Sequence, residues 1–443
     1  MKRSRPLHPT AVLVLLFAGA IALGTLLLLL PASSGTPTPA LTALFTATSA
    51  VCVTGLAVVD TGTHWTLFGQ GVILALIQLG GFGMMTAASL LAMLVNAPLR
   101  SRSRLLLQAE TRALALGDVR SVAKLVLGVT LVVEATATLV LAARFALGHD
   151  MVWREALWQG LFHAVSAFNN AGFSTWSDSL TRFAADPGVL LPVMVATVGG
   201  GLGFPVLHEL LLRRHQRARL SLHARLTLQA TLLLLLAGFA ALLASEWHNP
   251  RTLGGLDFGA KLWASAFASV SARTAGFNTI DIGALNDESL LLHELLMFIG
   301  GGSAGTAGGV KVTTVGLLLL VLWSEIRGHN DVEFAGRRIA SSSQRLALTV
   351  FLMGAAVVLI ATMLLVPLAP AVRFQALLFE VVSAFATVGL STGITAQLPA
   401  AGQLLLIALM FIGRVGIVTL AVALALNAGR RPYRFPEEKP LVG

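Results

Sequence analysis

Residues 61–99 contain no Asp, Glu, Lys or Arg, and the same holds for residues 11–30, 188–207, 226–245 and 346–372. A bilayer core about 30 Å thick is crossed by roughly 20 apolar helical residues at about 1.5 Å of rise each. Each of these runs is therefore read as a transmembrane helix. Residues 125–143 add a span whose only charge is Glu134, and residues 399–429 add one whose only charge is Arg414. A last span begins at Leu290, breaks at Gly300-Gly301-Gly302-Ser303-Ala304-Gly305-Thr306-Ala307-Gly308-Gly309, and resumes over residues 312–323. The chain is expected to be an all-α integral membrane protein with eight transmembrane helices. Its composition agrees: of 443 residues 56% are hydrophobic and 12% charged, against about a quarter charged in soluble proteins. A cleaved signal peptide is disfavoured, because no clear small-residue cleavage site follows Leu30 and another apolar segment comes soon after.

The net charge of +10 raises the question of nucleic acid, and the distribution of the basic residues answers it. Most of the 31 Lys and Arg fall in five segments, at residues 2–5, 100–124, 213–225, 327–345 and 430–439. Alternating spans place all five on one face, which the positive-inside rule makes cytoplasmic, together with both termini. Cys52 is the only cysteine, so a disulfide framework is excluded, and no Cys/His set has zinc-site spacing.

Between each outward and inward span lies an apolar stretch too short to cross, at residues 40–51, 153–168, 258–270 and 374–385. Phe-x-x-x-Ser-Ala marks the end of all four, beginning at Phe45, Phe162, Phe267 and Phe379, the third copy running on to Ala272. A glycine follows each, at Gly55, Gly172, Gly276 and Gly389, and a glycine-rich stretch recurs 25, 28, 24 and 24 positions later, at Gly80, Gly200, Gly300 and Gly413. Self-similarity of this kind fixes architecture. The unit is span, re-entrant helix, loop, span, repeated four times around a pseudo-fourfold pore: residues 1–100, 101–219, 220–330 and 331–429, with a cytoplasmic tail at 430–443.

Non-helical backbone at membrane depth is tolerated where it lines a polar cavity, and glycine turns carbonyls toward an axis at no steric cost. The expected selectivity filter comprises Cys52, Val53, Thr54 and Gly55; Asn169, Asn170, Ala171 and Gly172; Arg273, Thr274, Ala275 and Gly276; and Ala386, Thr387, Val388 and Gly389. These loops hold no Asp or Glu, so backbone oxygens are assigned the coordination, which favours weakly hydrated potassium over calcium or magnesium. The third loop has a Ser-to-Gly interval of 5 where the others have 6, which leaves its carbonyl register open. Asp60, Asp178 and Asp281 follow the glycines by 5, 6 and 5 positions and form either an acidic ring at the mouth or helix N-caps.

Below the filter, the break at 300–309 with Lys311 and Arg414 is read as a gate, Arg414 bonding either to the loop backbone or to a nearby acid. The alternative is a static ion pair of Arg414 with Glu294, Glu209 or Glu380. Arg273 and Glu380 are expected to brace the filter from the short-helix ends, or, for Arg273, to make an extracellular ion pair. His163 and His293 read as packing or hydrogen-bonding residues, and Cys52 as a small supporting side chain. Gly300-x-Gly302-x-x-Gly305 matches a dinucleotide motif only literally, without the preceding strand, and Val310 breaks a phosphate loop before Lys311. No nucleophile, acid/base pair or metal set converges, so no enzyme is expected. An ion-coupled carrier of another solute is the second reading, weakened because such folds use inverted repeats and these four enter from one side.

The loops Ser49-Ala-Val-Cys-Val-Thr-Gly-Leu56, Ser166-Ala-Phe-Asn-Asn-Ala-Gly-Phe173 and Arg273-Thr-Ala-Gly-Phe-Asn-Thr279, with the break at Gly300–Gly309, resemble the Trk/Ktr/HKT superfamily of potassium transporters. The similarity covers nearly the whole chain and is closest to the KtrB-type membrane subunits, since the extra N-terminal helices of TrkH-type chains are missing. The resemblance implies bacterial potassium uptake across the inner membrane, often sodium-dependent, with no organic cofactor. It also implies a homodimer resting on a cytosolic nucleotide-binding RCK-type subunit (KtrA/TrkA-like), and gating roles for the loop and for Arg414. The basic cytoplasmic segments fit either that subunit or lipid headgroups.

Overall fold

The computed structural model describes residues 9–96, 119–216 and 220–416. The basic segments at 2–5 and 430–439, most of that at 100–124, and the proline-bearing tail at 430–443 lie outside the described residues.

The described chain is mostly helical. The principal helices are α1 (Pro9–Leu28), α2 (Ala40–Val51), α3 (Leu67–Asn96), α4 (Val119–Gly148), α5 (Trp153–Phe168), α6 (Pro187–Leu202) and α7 (Phe204–Gln216). They are followed by α8 (Leu222–Glu246), α9 (Phe258–Ser271), α10 (Asp287–Phe298), α11 (Val312–Ile326), α12 (Ser341–Leu365), α13 (Phe374–Phe385) and α14 (Ala400–Phe411), which runs into a π turn at Ile412–Gly416. The strands described are Glu333–Phe334 and Arg337–Arg338, an antiparallel hairpin in the basic 327–345 segment.

Among the described residues four helices are long and apolar enough to cross a bilayer, within α3, α4, α8 and α12. A fifth span arises if α6 and α7, bent by 105° at Gly203, are taken as one. Of the other expected spans, one bends at Gly203, at φ +89°, and one breaks where α10 stops before Gly300, whereas the ends of the first and last expected spans lie outside the described residues. Shorter apolar helices are found within α1, α2, α11, α13 and α14. Apolar side chains point outward all round: Leu16, Leu26, Val132, Leu233, Leu359 and Met363 are all exposed. A surface of this kind belongs against lipid and not against water.

Contacts between helices run in a repeating order. The short helix α2 packs on α1 and α3, α5 on α4 and α6, α9 on α8, and α13 on α12 and α14. Each inward helix then packs on the next short helix: α3 on α5, α6 on α9, α10 on α13, and α14 back on α2. The series is therefore closed, and the C-terminal ends of α2, α5, α9 and α13 meet at its centre. Close approach there needs glycine. A Cβ on Gly80, Gly200 or Gly413 would overlap the carbonyl of Val51, Phe168 or Phe385, the residue two positions after the motif serine in each case.

Candidate functional site

Each short helix ends the same way. Cys52, Asn169 and Ala386 cap α2, α5 and α13 in helical geometry, and their amides still donate to Thr48, Val165 and Val382. The following residues, Val53, Asn170 and Thr387, swing to φ +56°, +57° and +50°, and the third loop does the same at Thr274, φ +80°. Left-handed geometry at non-glycine residues, β-branched ones among them, costs on the order of 1–3 kcal/mol each and persists only where the surroundings enforce it. Two positions later come Gly55, Gly172, Gly276 and Gly389, at φ +93°, +69°, +80° and +94°. Counted from the glycine, all four loops therefore share one register. The residue missing from the third loop is lost at the helix end, where α9 is capped by Ala272, one position after Ser271.

The serines of the repeated motif hold these turns. The Ser49 and Ser383 hydroxyls accept from the Gly55 and Gly389 amides at 3.0 and 3.1 Å, whereas those of Ser166 and Ser271 donate to the carbonyls of Phe173 and Phe277. All four serine side chains are buried.

The loops contact one another in cyclic order. A Cβ on Gly55 would overlap the Ala171 carbonyl oxygen, one on Gly276 that of Val388 and one on Gly389 that of Thr54, while one on Gly172 would lie 2.9 Å from that of Ala275. Thr54, Ala171, Ala275 and Val388 each precede a loop glycine, so four carbonyls are arranged head to tail around a ring. Among the described residues no backbone or side-chain donor reaches those four oxygens. Above the ring opens a cavity of about 340 Å³ lined by Gly55, Gly172, Gly276, Gly389, Asp60 and Asn278.

The acidic residues at the mouth are caps and turn residues. Asp60 accepts from the Thr63 amide and hydroxyl, both at 2.8 Å, and Asp281 accepts from the Gly283 amide at 2.9 Å. Asp178 pairs with Arg182 at 2.6 Å. Only Asp60 of the three lines the cavity. Burial acts to raise its carboxyl, but hydrogen bonds from Ser177, Thr63 and Gly62 outweigh that and hold it below the ordinary carboxylate value. A fixed negative charge therefore faces the opening.

On the other side of the ring lies the 300–309 segment. Gly300 N–H donates to Val310 and Val310 N–H to Phe298, closing the base of the loop. Gly302 and Thr306 donate to the carbonyls of Gly201 and Gly200, and Phe204 donates back to Ala304. Its contacts with the ring pass through Thr306, whose hydroxyl accepts from Asn170 Nδ2 at 2.6 Å and donates to the Phe168 carbonyl at 3.1 Å. Gly308 lies so close to Ala386 that a Cβ there would overlap the Ala386 carbonyl. The loop thus bridges the second and fourth short-helix ends from below.

Arg414, 2% exposed, donates Nη1 to the Thr306 carbonyl, while its Nε and Nη2 have no hydrogen-bond partner among the described residues. The acids proposed as static partners are engaged elsewhere: Glu294 with Gln375, Glu209 with Ser221, and Glu380 with Ser391, Thr392 and Thr395. Lys311 Nζ caps the carbonyls of Ala307 and Gly308 at 2.6 and 3.3 Å.

These contacts are set in a chain whose relatives are known. The family described as "TrkH: Cation transport protein" matches residues 10–430. The chain is 39% identical to the Ktr system potassium uptake protein B of Bacillus subtilis, over 98% of this chain and 97% of that one. It is 37% identical to the Vibrio alginolyticus protein of the same name, over 98% and 94%. It is also 37% identical to the potassium/sodium uptake protein NtpJ of Enterococcus hirae, over 99% and 98%. The crystal structure of the potassium transporter TrkH from Vibrio parahaemolyticus superposes with a TM-score of 0.73, covering 96% of this chain and 86% of that one at 18% identity.

The chain belongs to the TrkH cation transport family.

As a member of a transport family it is not an enzyme. In this TrkH-family chain one expectation needs correction. Arg273 braces neither a short-helix end nor an extracellular ion pair. It turns away from the mouth, donating Nη1 to the Thr231 carbonyl at 3.3 Å and Nη2 to the Gly300 carbonyl at 2.9 Å, because the glycine break frees a carbonyl at the right depth. Glu380, on the short helix α13, holds the segment after Gly389 by accepting from Ser391, Thr392 and Thr395.

His163 donates Nδ1 to the Gln159 carbonyl, pairs Nε2 with the Ser174 hydroxyl and stacks on Trp176, while His293 donates Nδ1 to the Ser289 carbonyl. Both pack, as read from the sequence. Thr306 as the bridging residue of the loop was not singled out, since its partners Asn170 and Arg414 lie 136 and 108 positions away. Glu134 was read only as a span's single charge; it bonds Asn169 and Gln78 behind the second loop.

Proposed function

We propose that this chain is the pore-forming subunit of a Ktr/Trk-type system that takes up potassium across the bacterial inner membrane. The observation that carries the reading is the ring: four carbonyls, those of Thr54, Ala171, Ala275 and Val388, each set against the glycine of a neighbouring loop and each without a donor among the described residues. Oxygens held this way replace the hydration shell of a weakly hydrated monovalent cation, and the anionic Asp60 at the opening raises its local concentration. The filter comprises the sixteen loop residues at 52–55, 169–172, 273–276 and 386–389.

The 300–309 loop is the gate. It lies under the ring, latched by Thr306, Lys311 and Arg414, and a cation leaving the filter meets this segment first. The layout is eight spans with four re-entrant helices in the repeats 1–100, 101–219, 220–330 and 331–429, both termini being cytoplasmic. The relatives named for a Ktr system support a multi-component assembly, here a homodimer on a cytosolic RCK-type regulatory subunit, and the relative named for potassium and sodium uptake supports sodium dependence.

The test replaces Gly55, Gly172, Gly276 or Gly389 singly by Ser in purified protein reconstituted into liposomes. Each substitution drives a side chain onto a neighbouring loop. The potassium-over-sodium flux ratio should fall by about tenfold or more, the equivalent of one lost ion contact of about 1.4 kcal/mol. A folded variant with unchanged selectivity contradicts the filter, and flux of an organic solute in its place favours a coupled carrier.

A further inference from the structure

We propose that Glu134 is a positioning residue of the second filter loop. It lies within α4, 5% exposed, in the span whose only charge it is. No Lys, Arg or His among the described residues is found within ion-pair distance of it. An ionisable group in a bilayer costs several kcal/mol and is retained where it faces a partner or a pathway.

Its partners are two amides. Gln78 on α3 donates Nε2 to Oε2 at 3.2 Å, and Asn169, the first residue of the second loop, donates Nδ2 to Oε1 at 3.0 Å. Asn169 Nδ2 also faces Gln78 Oε1 at 2.9 Å and the Val165 carbonyl at 2.9 Å. Glu134 thus completes a triangle that ties the cap of α5 to helices α3 and α4. One position on, Asn170 holds the left-handed turn and reaches Thr306 of the gate.

The equivalent caps of the first and fourth loops, Cys52 and Ala386, offer nothing to such a brace, being a thiol and a methyl packed in the apolar core. The second loop joins a carboxylate brace behind its cap to a gate contact beneath its turn, so its carbonyl at Ala171 is set by Glu134 through Asn169. The inference rests on the filter reading.

The test measures potassium and sodium flux in liposomes reconstituted with E134L, E134Q and Q78L. E134Q retains an acceptor for one amide and should keep half-saturating potassium and the potassium-over-sodium ratio within about twofold, the scale of a neutral hydrogen-bond change. In E134L, half-saturating potassium should rise and the ratio fall by about tenfold, with maximal rate per folded protein little changed, as for one charge-assisted hydrogen bond. If E134L fails to fold, Q78L removes the carboxylate's other partner from a different helix and carries the same expectation in weaker form.

Folded E134L or Q78L with wild-type half-saturation and ratio, or with only the maximal rate reduced, overturns the proposal. If G389S shifts the ratio and E134L does not, the brace alone fails. If neither shifts it, the filter itself fails.

Discussion

Replacing Arg414 by alanine removes one charge-assisted hydrogen bond, from Nη1 to the Thr306 carbonyl, and no ion pair among the described residues. A bond of that class is worth about 1.5–3 kcal/mol, and a tenfold change in an equilibrium corresponds to about 1.4 kcal/mol. The ratio of closed to released loop should therefore fall by about 10- to 150-fold. The fold should tolerate the change, because keeping an arginine at this depth costs about 2.5–3.5 kcal/mol and the alanine variant no longer bears that cost. Two of the guanidinium nitrogens, Nε and Nη2, have no partner among the described residues to lose.

The assay is rubidium uptake into liposomes carrying the purified chain without any cytosolic subunit, with melting temperature as the control for folding. Uptake by R414A should exceed wild type by about tenfold or more. Deletion of residues 302–308 should raise it at least as far, since the barrier itself is then gone. Unchanged or slower uptake in variants that melt like wild type refutes the gate, and leaves Arg414 a packing residue.

Thr306→Val removes the hydroxyl that bonds Asn170 and Phe168 but keeps the carbonyl that Arg414 holds. Rubidium uptake should rise by several-fold, about 1 kcal/mol per neutral bond, and R414A/T306V should gain less than the product of the single changes because both act on one residue. On the opposite face, Asp186 caps α6 through the Gly188 amide and binds Arg144 and His149 at 3.0 and 2.7 Å. Burial acts to raise its carboxyl, yet those hydrogen bonds win and hold it below the ordinary value. A lowered folded value contributes stability above the unfolded carboxylate value of about 3.9, and that contribution is lost as pH falls through the folded value. D186N should melt below wild type at neutral pH, with the gap closing in strong acid; an equal gap at both pH values contradicts the assignment.

The short helices were legible to within a residue. Residues 40–51, 153–168 and 374–385 coincide with α2, α5 and α13, and the third differs only by Ser271. Four copies of one pattern fixed them, each copy checking the others. The shared register of the loops was legible at the glycines, but not at the serine of the third repeat, because the missing residue is absorbed in the helix end. The sequence did not reveal the bend at Gly203 or the π turn after Phe411, since glycine within an apolar run marks a span and a break alike. Nor did it reveal that Arg273 reaches Gly300, or that Glu134 meets Asn169. Those pairings join segments separated by 27 and 35 positions, and no local periodicity encodes them.

The central claim is that the carbonyls of Thr54, Ala171, Ala275 and Val388 together hold a potassium-sized ion. Anomalous diffraction from crystals of the protein grown in rubidium tests it most directly. The account expects a rubidium peak on the axis, level with those four oxygens and weakened in crystals of G389S. A ring without a peak, in crystals where rubidium is seen elsewhere on the chain, would contradict it.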